Sequence, residues 1–172
     1  MSQAIWRIRP AGHDDLAKLG AIERAAARLF QAGRIPNADV AHSTAEFEEY
    51  LNQDLLWVAA TDDLPVGFVA CRPLGDALHV DELDVHPDFG RRGIGSALMR
   101  HATARAEAMG HRAVTLTTFS DVPFNAPFYE GLGFRVLRED ELPPPLRHLL
   151  RQEEAAGMSL RVAMRYQSMA PE

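Results

Sequence analysis

The stretch 79-HVDELDVHPDFGRRGIGSALM-99 decides how this chain is read. Its first residues, with the two before them, spell ALHVDELDV and read as a strand closed by Pro87. A turn holding Gly93 and Gly95 follows, and a helix over 94–109 begins at once. In that helix Ile94, Ala97, Leu98, His101, Ala102 and Met109 fall on the inward face, and Gly110 is the stop. Glycines clear side chains away so that backbone N–H groups can face an anion, and a helix N-terminus adds partial positive charge. Arg91 and Arg92 place two cations beside it, so the segment reads as a phosphate cradle. The spacing is not G-x-G-x-x-G and no G-K-S/T follows, which argues against dinucleotide and P-loop nucleotide sites. Close packing of helix on sheet is the competing reason for these glycines.

The strand before the turn is unusually rich in titratable groups. Strict alternation puts His79, Asp81, Leu83 and Val85 on one face, and Val80, Glu82 and Asp84 on the other. Such a strand is expected to end at a cleft; hydrogen-bonded strand-end residues are the alternative.

Outward from this segment, IWRIRPA alternates as a first strand, and Asp14 or Asp15 caps a helix running to Leu29 and Phe30. Ser43 with Glu46 forms a capping box for a short helix through Leu51. Residues 54–75 read as a hairpin turning at DDLP, and AVTLTTF as a central strand. NAPFYEGLGF is a short helix capped by Asn125, and FRVL and SLRVAMRYQ are two last strands. Between them, PPP at 143–145 stiffens the chain ahead of an amphipathic helix, LRHLLRQEEAAG. The fold class is mixed α/β (α+β): a largely antiparallel central sheet with helices on both faces.

Composition narrows the functional classes. At 172 residues, 47% hydrophobic and 24% charged, one globular domain is expected. A net charge of −6 argues against nucleic acid as a partner and favours a cationic one. The single cysteine, Cys71, permits no internal disulfide and no multi-cysteine metal site. The histidines, His86 and His101 among them, show no metal-ligand spacing, so no metal is expected. No apolar run approaches the ~18 residues of a membrane span, and the first residues lack a signal-peptide core. A cytoplasmic protein without membrane contact is expected.

LDVHPDFGRRGIGSALM resembles the acetyl-CoA signature of the GNAT superfamily of N-acetyltransferases, in which L-x-V-x-P leads to Q/R-x-x-G-x-G/A and a long helix. NAPFYEGLGF resembles that superfamily's second signature, F/L-Y-E-x-x-G-F. The order of elements fits as well, so the resemblance spans 1–172 as a single GNAT-like domain, with 139–157 as an added Pro-rich and helical segment. Two positions depart from the pattern: Gly90 stands where the family has Gln or Arg, and Val122 where it has Asn.

The resemblance implies an N-acetyltransferase that moves acetyl from acetyl-CoA to a primary amine in a ternary complex. In it, Leu83 and Val85 pair with the pantetheine arm. Arg91, Arg92, Gly93, Ile94, Gly95 and Ser96 hold the pyrophosphate, with Asn125 and Phe128 as further cofactor contacts. Tyr129 takes the place of the general acid, a core aromatic being its alternative. For the proton relay, some members carry histidines at the positions matching His79 and Asp81, and others an acid at the latter. That favours His79 and Asp81 over Glu82. The acceptor is a small-molecule amine or a protein amine, and a homodimer is left open. A non-catalytic sensor of CoA or acyl-CoA on the same fold is the second reading. A protein-interaction module whose glycines serve packing is the third.

Overall fold

The computed structural model describes residues 5–167, which form a seven-stranded sheet in the order β1-β2-β3-β4-β5-β7-β6. The strands are β1 (Trp6–Pro10), β2 (Leu56–Thr61), β3 (Leu64–Leu74), β4 (Ala77–Val85), β5 (Ala113–Phe119), β6 (Arg135–Val136) and β7 (Arg161–Gln167). Every neighbouring pair is antiparallel except β4 with β5. The helices are α1 (His13–Ala27), α2 (Thr44–Asn52), α3 (Ile94–Ala108), α4 (Ala126–Glu130) and α5 (Pro144–Ala155). Among the described residues, no helix is long and apolar enough to cross a membrane.

Two layers of helices cover the sheet. On one face α3 packs Ile94, Leu98, Met99 and Ala102 on Trp57, Val69, Leu78, Val80 and Leu116, with Ala126 of α4 beside them. On the other face α1 and α2 bury Leu16, Leu19, Ile22 and Phe47 against Leu56, Val58, Phe68 and Ala70. The same face carries a third, smaller cluster in which Leu146 of α5 meets Leu137, Leu142 and Ala163.

Local signals account for much of this. Asp62 and Asp63 both take positive φ (47° and 63°), the two-residue hairpin geometry that matches strand twist. Ser43 and Glu46 exchange the reciprocal capping bonds expected of them: Ser43 N–H donates to Glu46 Oε2 at 2.7 Å, and Glu46 N–H to Ser43 Oγ at 3.3 Å. Gly110 ends α3 at φ 81°.

Four details differ from expectation. Gly12, not Asp14 or Asp15, caps α1. Asp15 instead accepts Gly12 N–H at 2.8 Å and pairs with Arg9 at 2.6 Å, an ion pair formed across β1 that local pattern does not reveal. That helix stops at Ala27, leaving Leu29 exposed and Phe30 against Phe119. Met109 is exposed just past the end of α3. Pro144 and Pro145 lie inside the first turn of α5, where their missing N–H groups would have no partner anyway.

Candidate active site

Strands β4 and β5 are paired only from Ala77↔Ala113 to Val80↔Leu116. Among the described residues no sheet pairing joins β4 to β5 beyond Val80, and the candidate residues Asp81, Glu82, Leu83 and Val85 follow that divergence directly. At the same place β4 is bulged against β3. Val80 stands opposite Cys71 and Glu82 opposite Ala70, so Asp81 is an extra residue without a partner. The bulge reverses the alternation. Leu78, Val80, Leu83 and Val85 belong to the α3 side, while His79, Glu82 and Asp84 share the α1–α2 side with Arg72, Ala70 and Phe68. The expectation that His79 and Asp81 share a face with Leu83 and Val85, opposite Glu82, is therefore corrected: one inserted residue shifts the period by half a turn of the pleat.

Each titratable residue of β4 has its own environment. His79 is buried, with Nδ1 2.9 Å from Thr115 Oγ1, and burial pushes its pKa down to about 4. Asp81 is engaged by Arg72 Nε at 2.9 and 2.8 Å and accepts the Tyr50 hydroxyl at 3.1 Å. Glu82 and Asp84 lie instead on the α1–α2 side, opposite Ala70 and Phe68 of β3. Burial, then the charges of Asp84 and Glu23, push Glu82 well above the carboxylate range. Burial and Glu23 raise Asp84 to about 8, and one Asp84 oxygen is buried without a hydrogen-bond partner.

Two residues absent from the sequence reading complete this side. Glu23 of α1 accepts His42 N–H at 2.9 Å through one oxygen and lies 2.9 Å from His42 Nδ1 through the other. The Glu23 bond, foremost, raises His42 to about 9 against the cost of burial. Glu23 and His42 are 19 residues apart, so no helical or strand period links them.

Tyr129 sits on α4 against the α3-side core, packed edge-on to Phe128 with ring centroids 5.0 Å apart. Burial, then the charges of Asp84 and Glu82, raise its phenol above the usual range. Asn125 holds the N-cap position of α4, its backbone carbonyl accepting Tyr129 N–H at 3.1 Å, but its side chain makes no cap bond. Its Oδ1 instead accepts Thr118 Oγ1–H at 2.9 Å and the Phe119 N–H at 3.4 Å, which ties α4 to the end of β5. Cys71 is buried on the α3 side, and burial pushes its thiol pKa up, away from nucleophilic use.

The glycine turn has the geometry of a cradle. Gly93, at φ 78°, is the N-cap of α3 and no side chain caps the first-turn N–H groups of Ile94, Gly95 and Ser96. A Cβ on Gly93 would meet nothing within 4 Å, so the space over the turn is open. Arg91 also takes positive φ, 59°, and Arg92 donates to the Asp88 carbonyl at 3.2 Å while lying over Phe89. A Cβ on Gly95 would lie 3.5 Å from Phe128, which brings α3 and α4 together beside the turn. Free first-turn N–H groups, an open turn and a β4 edge unpaired beyond Val80 fit a long anionic cosubstrate of the CoA type.

Residues 22–134 match the Acetyltransferase (GNAT) family. The chain belongs to the GNAT family. The peptidyl-lysine N-acetyltransferase YjaB of Salmonella typhimurium strain LT2 is 32% identical over 151 residues, which cover 83% of this chain and 96% of that protein. The ribosomal protein bS18-alanine N-acetyltransferase of the same strain is 29% identical over 119 residues, covering 68% of this chain and 75% of that one. The PaiA N-acetyltransferase from Thermoplasma acidophilum, solved in complex with coenzyme A, shares the fold with a TM-score of 0.74 at 17% identity. That alignment covers 95% of this chain and 99% of that one. As a GNAT-family member this protein is an acyltransferase, an acetyl-CoA-dependent N-acetyltransferase.

Proposed function

We propose that this GNAT acetyltransferase moves an acetyl group directly from acetyl-CoA to a primary amine in a ternary complex, with Glu82 as proton acceptor and Tyr129 as proton donor. The observation that carries it is the placement of these two groups. Glu82 lies on the α1–α2 face just past the point where β4 and β5 part, and Tyr129 lies on α4 against the α3-side core, near enough for the Glu82 charge to raise its phenol.

Bound acetyl-CoA supplies the thioester carbonyl that the amine attacks. An ammonium group, with an ordinary pKa of ~10.4, must first lose a proton. A carboxylate facing the amine can take it, directly or through one water. As the new N–C bond forms and the C–S bond breaks, the sulfur needs a proton, and Tyr129 carries a phenol kept neutral by its surroundings. In this reading Gly93, Ile94, Gly95 and Ser96 bind the pyrophosphate through backbone N–H groups, with Arg91 and Arg92 nearby. Leu83 and Val85 offer the unpaired β4 edge to the pantetheine arm, and Phe128 packs beside it. His79 and Asp81 serve as structural supports: one is buried against Thr115, the other is engaged by Arg72 and Tyr50.

Glu23, Glu82 and Asp84 put three carboxyl groups on the acceptor side, and an ammonium group entering there favours their charged forms. A lysine side chain in a peptide is the first acceptor to try, because a relative over nearly its whole length is named for peptidyl-lysine.

The test is CoA release, with mass-spectrometric detection, from acetyl-CoA and a panel of lysine peptides, peptides with free N-termini and small amines. Tyr129→Phe is expected to lower kcat by roughly 10²-fold with acetyl-CoA affinity nearly intact. Wild-type turnover in that variant returns Tyr129 to a packing role.

A further inference from the structure

Glu82 is an unusual place for a negative charge. The charges of Asp84 on its own strand, Glu23 on α1 and Asp81 at the bulge all oppose it, and a charge on Glu82 in turn raises the Tyr50 phenol on α2 and the Tyr129 phenol on α4. The nearest cation on β3, Arg72, is taken up by Asp81. Of the charged neighbours that act most strongly on Glu82, namely Asp84, Glu23, His42 and Asp81, only His42 is positive. One side-chain nitrogen of His42 and one carboxylate oxygen each of Glu23 and Glu82 lie within 4.8 Å of one another.

His42 is held there by construction. Glu23 grips both its backbone N–H and its ring, and Phe47 and Tyr50 flank the imidazole with ring centroids at 5.5 and 6.4 Å. The next residue, Ser43, caps α2, so the imidazole is fixed between two helices.

We propose that Glu23 and His42 form a positioning unit for the acceptor side, in which Glu23 holds the His42 imidazolium beside the Glu82 carboxyl, favours its charged, proton-accepting form against the neighbouring acids, and aims it at the amine. This rests on the reading of Glu82 as proton acceptor. Neither Glu23 nor His42 touches the reacting atoms; both act through Glu82. The charge logic is reciprocal: a proton on His42 makes Glu82 a stronger acid, and a charge on Glu82 makes His42 a stronger base. Glu46, at the first turn of α2, adds to the field that keeps His42 charged.

The decisive measurement needs no acceptor. In the full chain labelled at histidine, the imidazole signal lost in His42→Gln is followed by NMR from pH 5 to pH 10. Its midpoint is expected near 9 in the wild type and lower by about one pH unit in Glu82→Gln, with Glu82→Asp restoring part of the shift. Glu23→Gln is expected to lower it as well. A midpoint near the ordinary 6.5, or one that Glu82→Gln leaves in place, overturns the inference.

A kinetic arm separates this from the reading it rests on. With any amine that the panel identifies, His42→Gln should move the acidic limb of kcat/KM to higher pH by about one unit, at unchanged acetyl-CoA affinity. An unmoved limb in His42→Gln, with the limb lost in Glu82→Gln, refutes the positioning role alone. A limb that survives Glu82→Gln refutes Glu82 as the base, and the positioning role with it.

Discussion

Glu82 stands opposite Ala70 on β3, although Val80, two residues earlier, stands opposite Cys71, the next residue of β3. That single-residue mismatch puts Glu82, and not Asp81, beside the Glu23–His42 pair. Two substitutions on adjacent residues should therefore behave differently. Glu82→Gln is expected to lower kcat by about 10²–10⁴-fold with little loss of stability. Asp81→Asn should instead weaken the fold by ~1–3 kcal/mol in urea unfolding, since it deprives Arg72 of its ionic partner, and should cost less activity. The reverse pattern would mean that the bulge does not set the chemistry.

Gly93 tests the cradle. Its φ of 78° disfavours any side chain by about 1–2 kcal/mol, but a Cβ there meets nothing within 4 Å, so the variant should still fold. Gly93→Val is expected to weaken acetyl-CoA binding at least tenfold (about 1.4 kcal/mol) in calorimetric titration. Unchanged affinity in a folded variant would remove the turn from the cosubstrate site.

His79 predicts a pH dependence of stability. Its pKa falls from 6.5 to about 4 on folding, so between those values the unfolded chain binds the extra proton. The stability that neutral His79 contributes is complete above 6.5 and is lost as pH falls toward 4. His79→Gln, which keeps a partner for Thr115 but does not titrate, should have a flatter Tm profile than the wild type over that window. Parallel profiles would show that His79 takes up its proton as readily in the folded as in the unfolded chain.

Helix α5 is tied in by a polar knot. Arg161 Nε donates to Glu153 Oε2 at 3.1 Å, and the Thr117 hydroxyl donates to Glu153 Oε1 at 2.6 Å, with the Arg161 guanidinium lying over Phe119. Glu153→Ala leaves that guanidinium without its carboxylate and should cost ~3 kcal/mol of unfolding free energy, with acetyl-CoA affinity unchanged. An unaltered urea midpoint would make the knot a surface contact. Replacing 142–156 wholesale with a Gly/Ser linker should unfold the region, because Leu146 is buried on Leu137 and Ala163.

What the sequence alone determined is what lies within a few residues along the chain. The hairpin at Asp62–Asp63, the Ser43–Glu46 box, the stop at Gly110 and the turn at Gly93 each depend on backbone conformation or on bonds spanning a few residues. The same is true of the two signatures that mark the family, since a turn that exposes its own N–H groups needs no distant partner. The strand and helix order follows from the hydrophobic period. The face assignment on β4 does not, because a bulge is a mismatch between two strands and exists only once β3 has chosen its register. Asn125 is similar: its local pattern is that of a helix cap, but Thr118 and Phe119 claim its oxygen from β5. Glu23 and His42 carry no pattern at all, being joined across 19 residues by a loop that returns to its own helix. Tertiary structure alone decided which acid of β4 lies beside the Glu23–His42 pair, because an ionisable group's role is set by the charges and burial around it, and those come from segments far apart in the chain.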